Sequence, residues 1–364
     1  MTVVEYSEVE YWLKKLHELI SPNFTRAEPR QRAWNYMCGL VGRADDGVQG
    51  GSGRRNIASY ANERRADGAQ RLLTMAQWDE AEVRANLLDV VKRHFGLASG
   101  GLYVTEVTFV KKGSDAVAVE RQFSVDNRRL ENCQLAMLMF YAAPGGALVL
   151  IDAVPYLPSS WLSDADRRRK ASIPSDLGYR TKSQIAAGMI NRAVEAGLEP
   201  QWALFSLLCS DKVTLRRNLQ AKGIPYLMSL TTGEFEGLSG MEPDDPRLGA
   251  DALTERYPRG GPKGRPRLVE QYAARPPVGR DPAHSAYYCA GNRRLASNGE
   301  LSQLISELRR MDARWRNMRS EIKLDRYEVR SWRGWHRHMT LAMVVQTAIV
   351  LAKQAPAELK REVR

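Results

Sequence analysis

Between Arg309 and His338 the chain carries ten Lys/Arg and four Asp/Glu, a surplus of six that makes up half of the formal net charge of +12. A segment so cationic suits a polyanion, and its residue types suggest how one would be held. Arg314, Arg316 and Arg319 fall on a stretch with helical periodicity, while Arg330, Arg333 and Arg337 alternate with Trp332 and Trp335 and adjoin His336. Guanidinium groups contact phosphate oxygens, and indole rings can stack on bases or position a backbone. Two smaller groups offer the same chemistry: Lys111 and Lys112 after an apolar run, and Arg54 and Arg55 presented by the glycines of GGSGRRN. Each group also has a plain structural reading, as solvated charge for the cations and as core for the tryptophans.

Composition narrows the classes. The 364 residues are 43% hydrophobic, enough for a substantial core and two or three structural units. The 54 Lys/Arg against 42 Asp/Glu favour nucleic acid over acidic proteins or membranes as the partner. Cys38, Cys133, Cys209 and Cys289 are far apart, with no CxxC pair, so neither a zinc site nor a disulfide framework is expected and a reducing cytoplasm fits, with association to the nucleoid if DNA is the ligand. No GxGxxG or GxxxxGK[ST] pattern calls for a nucleotide, so no cofactor is expected. The apolar run from Met339 to Ala352 is too short to span a membrane and should be a buried helix. Glu5, Glu8 and Glu10 argue against a secretion signal.

The elements that must position these residues follow from periodicity. Val9, Leu13, Leu16 and Ile20 recur at helical spacing, and Asp79 with Glu82 marks a helix start that Gly96 closes, so residues 1–97 read as a helical domain. Strand-like runs follow at Leu102 to Val110, Ala116 to Ser124 and Cys133 to Ala142. A helix is then expected at Thr181 to Ala196, a strand at Trp202 to Leu207, a helix at Lys212 to Lys222 and a strand at Tyr226 to Leu230, which completes a unit over 98–232. Eight Gly and eight Pro between Gly233 and Pro282 make 233–299 an irregular insertion with short strands, including one near Ala286 to Cys289. Residues 300–364 supply two final helices, Glu300 to Lys323 and the Met339 run.

Several motifs in this order resemble the DDE-type transposases of bacterial insertion sequences: AEPRQRAWNYMCGLVG at Ala27, DGAQRLLTMAQWD at Asp67, TFVKKG at Thr108, YLPxxW at Tyr156, KGRPRLVEQYAA at Lys263 and YEVRSWRGWHRHMTLAM at Tyr327. The resemblance implies an α/β fold with an RNase H-like mixed sheet flanked by helices. It also implies three acids holding two divalent cations for strand transfer. By alignment, however, Thr105 and Ser206 stand where the first two acids belong, with Glu106 adjacent to the first, and Asp312 stands at the third. Glu106 should face away, because neighbouring strand residues point to opposite sides. Asp211 suits a helix cap better than a metal ligand.

The expected function is therefore a catalytically inactive, transposase-derived DNA-binding protein, regulatory or architectural, that needs no metal and could act as a homodimer. Two alternatives remain: an enzyme acting on a small molecule in the emptied pocket, and an active transposase whose displaced ligands still hold Mg²⁺ or Mn²⁺.

Overall fold

The computed structural model describes residues 6–41, 67–96, 100–206, 213–230, 235–236, 253–256, 270–274, 287–292, 298–325 and 327–354. The N-terminal helices are α1 (Tyr6–Ile20), α2 (Ala27–Val41), α3 (Asp67–Thr74) and α4 (Glu80–Phe95). Val9, Leu13, Leu16 and Ile20 form the buried stripe of α1. Asp79 caps α4, accepting from the backbone N–H of Ala81 and Glu82 at 2.9 and 3.1 Å, and Gly96 ends it at φ 80°.

The strands are β1 (Gly101–Val110), β2 (Glu120–Ser124), β3 (Arg129–Ala142), β4 (Leu148–Tyr156), β5 (Ala203–Ser206), β6 (Tyr226–Leu230), β7 (Leu253–Arg256), β8 (Glu270–Ala274) and β9 (Tyr287–Gly291). They form one mixed sheet in the order β2-β3-β1-β5-β6-β9-β8-β7, with β4 also on β3. β1 runs antiparallel to β3 and parallel to β5, and β5 runs parallel to β6. Helices α5 (Ser159–Ser163), α6 (Ala165–Lys170), α7 (Lys182–Glu195) and α8 (Val213–Lys222) lie between β4 and β6 in sequence, and α9 (Asn298–Glu321) and α10 (Trp332–Gln354) follow the sheet. This is the RNase H-like mixed α/β arrangement that the sequence resemblance implied.

One strand departs from expectation. The segment 116–119 is a turn, the second strand shortens to Glu120–Ser124, and the outer member of the meander is β4, which periodicity did not show. The alternation of β4 is broken twice, by Pro155 and by a bulge at Ile151, and it is buried on both faces over most of its length. β4 pairs with β3 on one side only, which leaves room for a proline without an N–H. The 233–299 segment contributes β7, β8 and β9, which extend the sheet from β6, so the short strands expected there are present.

Two apolar layers enclose the sheet. On one face Val104, Met137, Met139 and Phe205 pack with α7 and α8. On the other face Tyr103, Val107, Leu138 and Phe140 pack with α9, α10 and the N-terminal helices. Nearly every residue of α10 from Gly334 to Ala352 is buried, as expected of the Met339 run, because α1, α2, α3, α4 and β4 surround it. Within this layer Tyr36 Oη donates to His338 Nδ1 at 2.7 Å, and His338 Nε2 donates to the Leu324 carbonyl at 3.0 Å, tying α2 to α10. Burial pushes the His338 imidazole down to about 4.

Candidate nucleic-acid interface and candidate catalytic centre

Thr105 and Ser206 are register partners on the parallel strands β1 and β5, so their side chains lie side by side at the same level of the sheet. α9 crosses the same face and brings Asp312 onto them: Ser206 Oγ donates to Asp312 Oδ2 at 3.3 Å. The other carboxylate oxygen accepts a short hydrogen bond from the hydroxyl of Tyr103. Tyr103 precedes Thr105 by two residues and therefore shares its face of β1, a signal that strand alternation contains and that the motif comparison passed over. Burial, then the neighbouring Asp312 charge, holds the Tyr103 phenol well above its ordinary pKa. The phenol therefore stays a donor, clamped on the carboxylate.

The three aligned positions thus come together in space, but with the wrong chemistry for a pair of dications. Two-metal phosphoryl transfer requires several carboxylates bridging cations held close together, and Mg²⁺ prefers charged oxygens. Here Asp312 is joined by neutral Thr105, Ser206 and Tyr103, and both of its oxygens already accept hydroxyl protons. Among the described residues no group of three or more His, Cys, Asp and Glu could hold a metal ion. The donor set does not fit the metal pair. Asp211 lies outside the described residues.

Glu106 faces the opposite side of β1 and is buried. Its Oε1 meets Lys182 Nζ, at the start of α7, at 2.5 Å, and the ammonium also sits 5.5 Å from the Tyr156 ring. The sheet itself separates this carboxylate from Asp312, so it cannot replace the first acid.

The cations expected to meet DNA divide into two sets. Arg314, Arg316, Arg330, Arg333 and Lys112 are exposed. Arg314 additionally donates to the Gly146 carbonyl at 2.7 Å, and Arg330 pairs with Asp115 at 3.4 Å across open solvent. The second set is used by the fold. Arg337 is 2% exposed, pairs with Glu80 at 3.4 Å and donates to the Trp78 carbonyl at 3.0 Å. Arg319 pairs with Asp126 at 2.7 Å and Asp325 at 3.5 Å, and donates to the Thr108 carbonyl. The Lys111 ammonium lies 3.5 Å above the Tyr327 ring, and burial pushes it down to about 8. His336 accepts from Arg84 at 3.3 Å between the rings of Trp332 and Trp335, and burial with three neighbouring arginines keeps it neutral. Trp335 is fully buried, its indole N–H donating to Tyr327 at 3.1 Å. Lys111, Arg319, His336 and Arg337 are thus engaged in packing and pairing instead of standing free at the surface, and Trp335 takes the core placement that its structural reading gave it. Arg54 and Arg55 lie outside the described residues.

A cationic run that the motif reading passed over joins the exposed set. α6 reads ADRRRK, and its end meets the start of α10 through the Trp332 N–H, which donates to the Ala171 carbonyl at 2.8 Å. Arg169 and Lys170 are exposed just before Ala171, Arg169 in an ion pair with Asp166, and Arg330 and Arg333 flank Trp332 in sequence. Four consecutive cations at 167–170 were a visible charge signal. Arg167 and Arg168 are instead folded back, one stacked 3.9 Å from the Trp161 ring and the other bonded to the carbonyls of Pro174, Ser175 and Leu177.

No helix of the described residues is long and apolar enough to cross a membrane. A comparison with curated proteins finds no match. A family model described as DDE superfamily endonuclease matches residues 20–298, from the end of α1 to the first residue of α9, and so includes the strands bearing Thr105 and Ser206 and stops short of Asp312. With more than half of its length matched in this way, the chain belongs to the DDE superfamily endonuclease family.

Proposed function

We propose that this chain is a DDE-family protein that binds double-stranded DNA without cutting it, as a regulatory or architectural factor. Membership of the family implies dealings with nucleic acid in general. The observation that carries the finer reading is the state of Asp312, whose two oxygens are occupied by the hydroxyls of Tyr103 and Ser206 where the family chemistry requires free carboxylates.

An acidic, metal-free pocket facing a phosphate backbone would repel it. Replacing two acids by hydroxyls removes most of that repulsion, which amounts to about 1 kcal/mol per charge pair at 4 Å even in bulk water. Binding then rests on the exposed cations Arg314, Arg316, Arg330, Arg333 and Lys112, with Arg169 and Lys170 extending the surface around the start of α10.

The test is a titration of the purified chain with duplex DNA over a range of salt, in EDTA and in Mg²⁺. The logarithm of affinity should fall with the logarithm of salt by about 0.9 per phosphate neutralised. Mg²⁺ should act only as added salt. Affinity that requires Mg²⁺ at constant ionic strength would remove the metal-independent reading.

A further inference from the structure

A second region of the molecule has the make-up of a ligand site and takes no part in the DNA reading. A cavity of about 400 Å³ lies between α4, α7, β4 and the first turns of α10. Met139 lines it and points to the opposite face of the sheet from Phe140, the register partner of Tyr103, so the cavity is separate from the Asp312 centre.

The backbone is distorted at this place. β3 and β4 pair Phe140 with Leu150 and then Met139 with Asp152, which leaves Ile151 as an extra residue. Such a bulge re-aims the side chains that follow it. Without the extra residue Asp152 would share the face of Leu148 and Leu150 against α10; with it, Asp152 turns to the cavity.

Asp152 is held there from two sides, by Arg84 at 3.4 Å and Arg192 at 2.6 Å. Arg84 also donates to Nδ1 of His336 at 3.3 Å. A guanidinium can only donate, so Nδ1 accepts and the neutral ring carries its proton on Nε2. His336 is kept neutral first by burial and then by Arg84, Arg192 and Arg180, and of these arginines Arg84 and Arg192 line the cavity itself. Two carboxylates line the cavity, Asp152, which Arg84 and Arg192 share, and Glu80, which pairs with Arg337 and also acts on Arg84, so three arginines meet two carboxylates here. A cleft with low-dielectric walls and a surplus of one sign concentrates ions of the other. Arg192 is half exposed, while Leu88, Met139 and Met189 supply apolar walls.

We propose that this cavity binds a small organic anion, with its acidic group at Arg192 and the Nε2–H of His336 and its hydrocarbon body against Met139, Met189 and Leu88. The volume falls within the range of small-molecule sites, about 300–1,000 Å³. The apolar walls select against bare inorganic phosphate, and the arginines select against a neutral hydrocarbon.

The probe is 8-anilinonaphthalene-1-sulfonate, titrated by fluorescence into the full chain, beside its uncharged relative N-phenyl-1-naphthylamine. One saturable site for the sulfonate is expected, with the uncharged amine at least about tenfold weaker, a factor worth 1.4 kcal/mol. Arg192→Leu should weaken the sulfonate about tenfold or more, and Arg192→Lys by less; Asp152 keeps Arg84 in both variants. Ala85 is exposed on α4 and lines the cavity, so Ala85→Trp should close it and abolish binding while circular dichroism stays unchanged. Absence of a saturable site, equal binding of the uncharged amine, or sulfonate binding that survives both Arg192→Leu and Ala85→Trp would each overturn the proposal.

Discussion

Placing carboxylates at positions 105 and 206 beside the one at 312 should give this chain a divalent-metal site. In the triple variant Thr105→Asp, Ser206→Asp and Asp312→Glu, the first two carboxylates would sit on register partners of adjacent strands, about 4.8 Å apart. Asp312 already touches Ser206 and Tyr103, so the third carboxylate joins them from α9. At an effective dielectric constant of about 20, two carboxylates about 5 Å apart repel by roughly 3 kcal/mol. The metal-free variant should therefore be destabilised by several kcal/mol, less whatever is recovered by protonating one of the acids. Mn²⁺ at about 100 times its dissociation constant would return about 2.7 kcal/mol. Thermal unfolding with and without Mn²⁺ reads both quantities. The unsubstituted chain should show no specific shift, and the carboxamide control Thr105→Asn with Ser206→Asn should also show none. The reasoning fails if Mn²⁺ raises the melting temperature of the natural chain as much as that of the triple variant, or leaves the triple variant unmoved.

Other outcomes follow from individual side chains. Arg333→Glu should lower DNA affinity and make its salt dependence shallower, by about 0.9 in the log-log slope, without altering the unfolding midpoint. Arg337→Glu should cost about 3 kcal/mol or more of stability, because it places a carboxylate beside Glu80 in a buried position; chemical denaturation beside a binding titration separates the two effects. His338 should make stability pH-dependent: the unfolded ring takes up a proton below its ordinary 6.5, whereas the folded ring does so only near 4. Stability should accordingly fall as pH drops from about 6.5 to 4, by about 3 kcal/mol in all, and a His338→Gln variant should lack most of that slope. Tyr103→Phe removes the proton donor from Asp312 Oδ1 and should create a weak Mn²⁺ response without creating a full site, seen as a small rise in melting temperature.

The sequence and the structure agree where a signal is local and regular. The α1 stripe, the Asp79 cap, the apolar α10 run and strands β5 and β6 were all visible as periodicity or turn chemistry. β4 was not, because a bulge at Ile151 and a proline at 155 break its alternation and burial on both faces removes the polar half of the pattern. At the candidate centre, motif alignment picked out Thr105, Ser206 and Asp312, and the structure brings those three together. Tyr103 and Lys182 went unnoticed, although Tyr103 is only two residues from Thr105 on the same face, because neither belongs to the set of acids that the comparison was following. The cationic segment shows the limit most clearly. Charge counted along the chain does not reveal that Asp126 is folded against Arg319, that Glu80 reaches Arg337, or that Tyr327 covers Lys111. Those partners are distant in sequence, so the division between surface cation and packed cation emerges only in three dimensions.

The most direct measurement of the central claim combines binding and chemistry in one reaction: supercoiled plasmid incubated with the chain in Mg²⁺ or Mn²⁺ at low salt, scored for both retardation and nicking. The account predicts retardation that is unchanged by EDTA, with every plasmid molecule still supercoiled after deproteinisation. Metal-dependent nicking that disappears in an Asp312→Ala variant would contradict it, and would return the chain to the active members of its family.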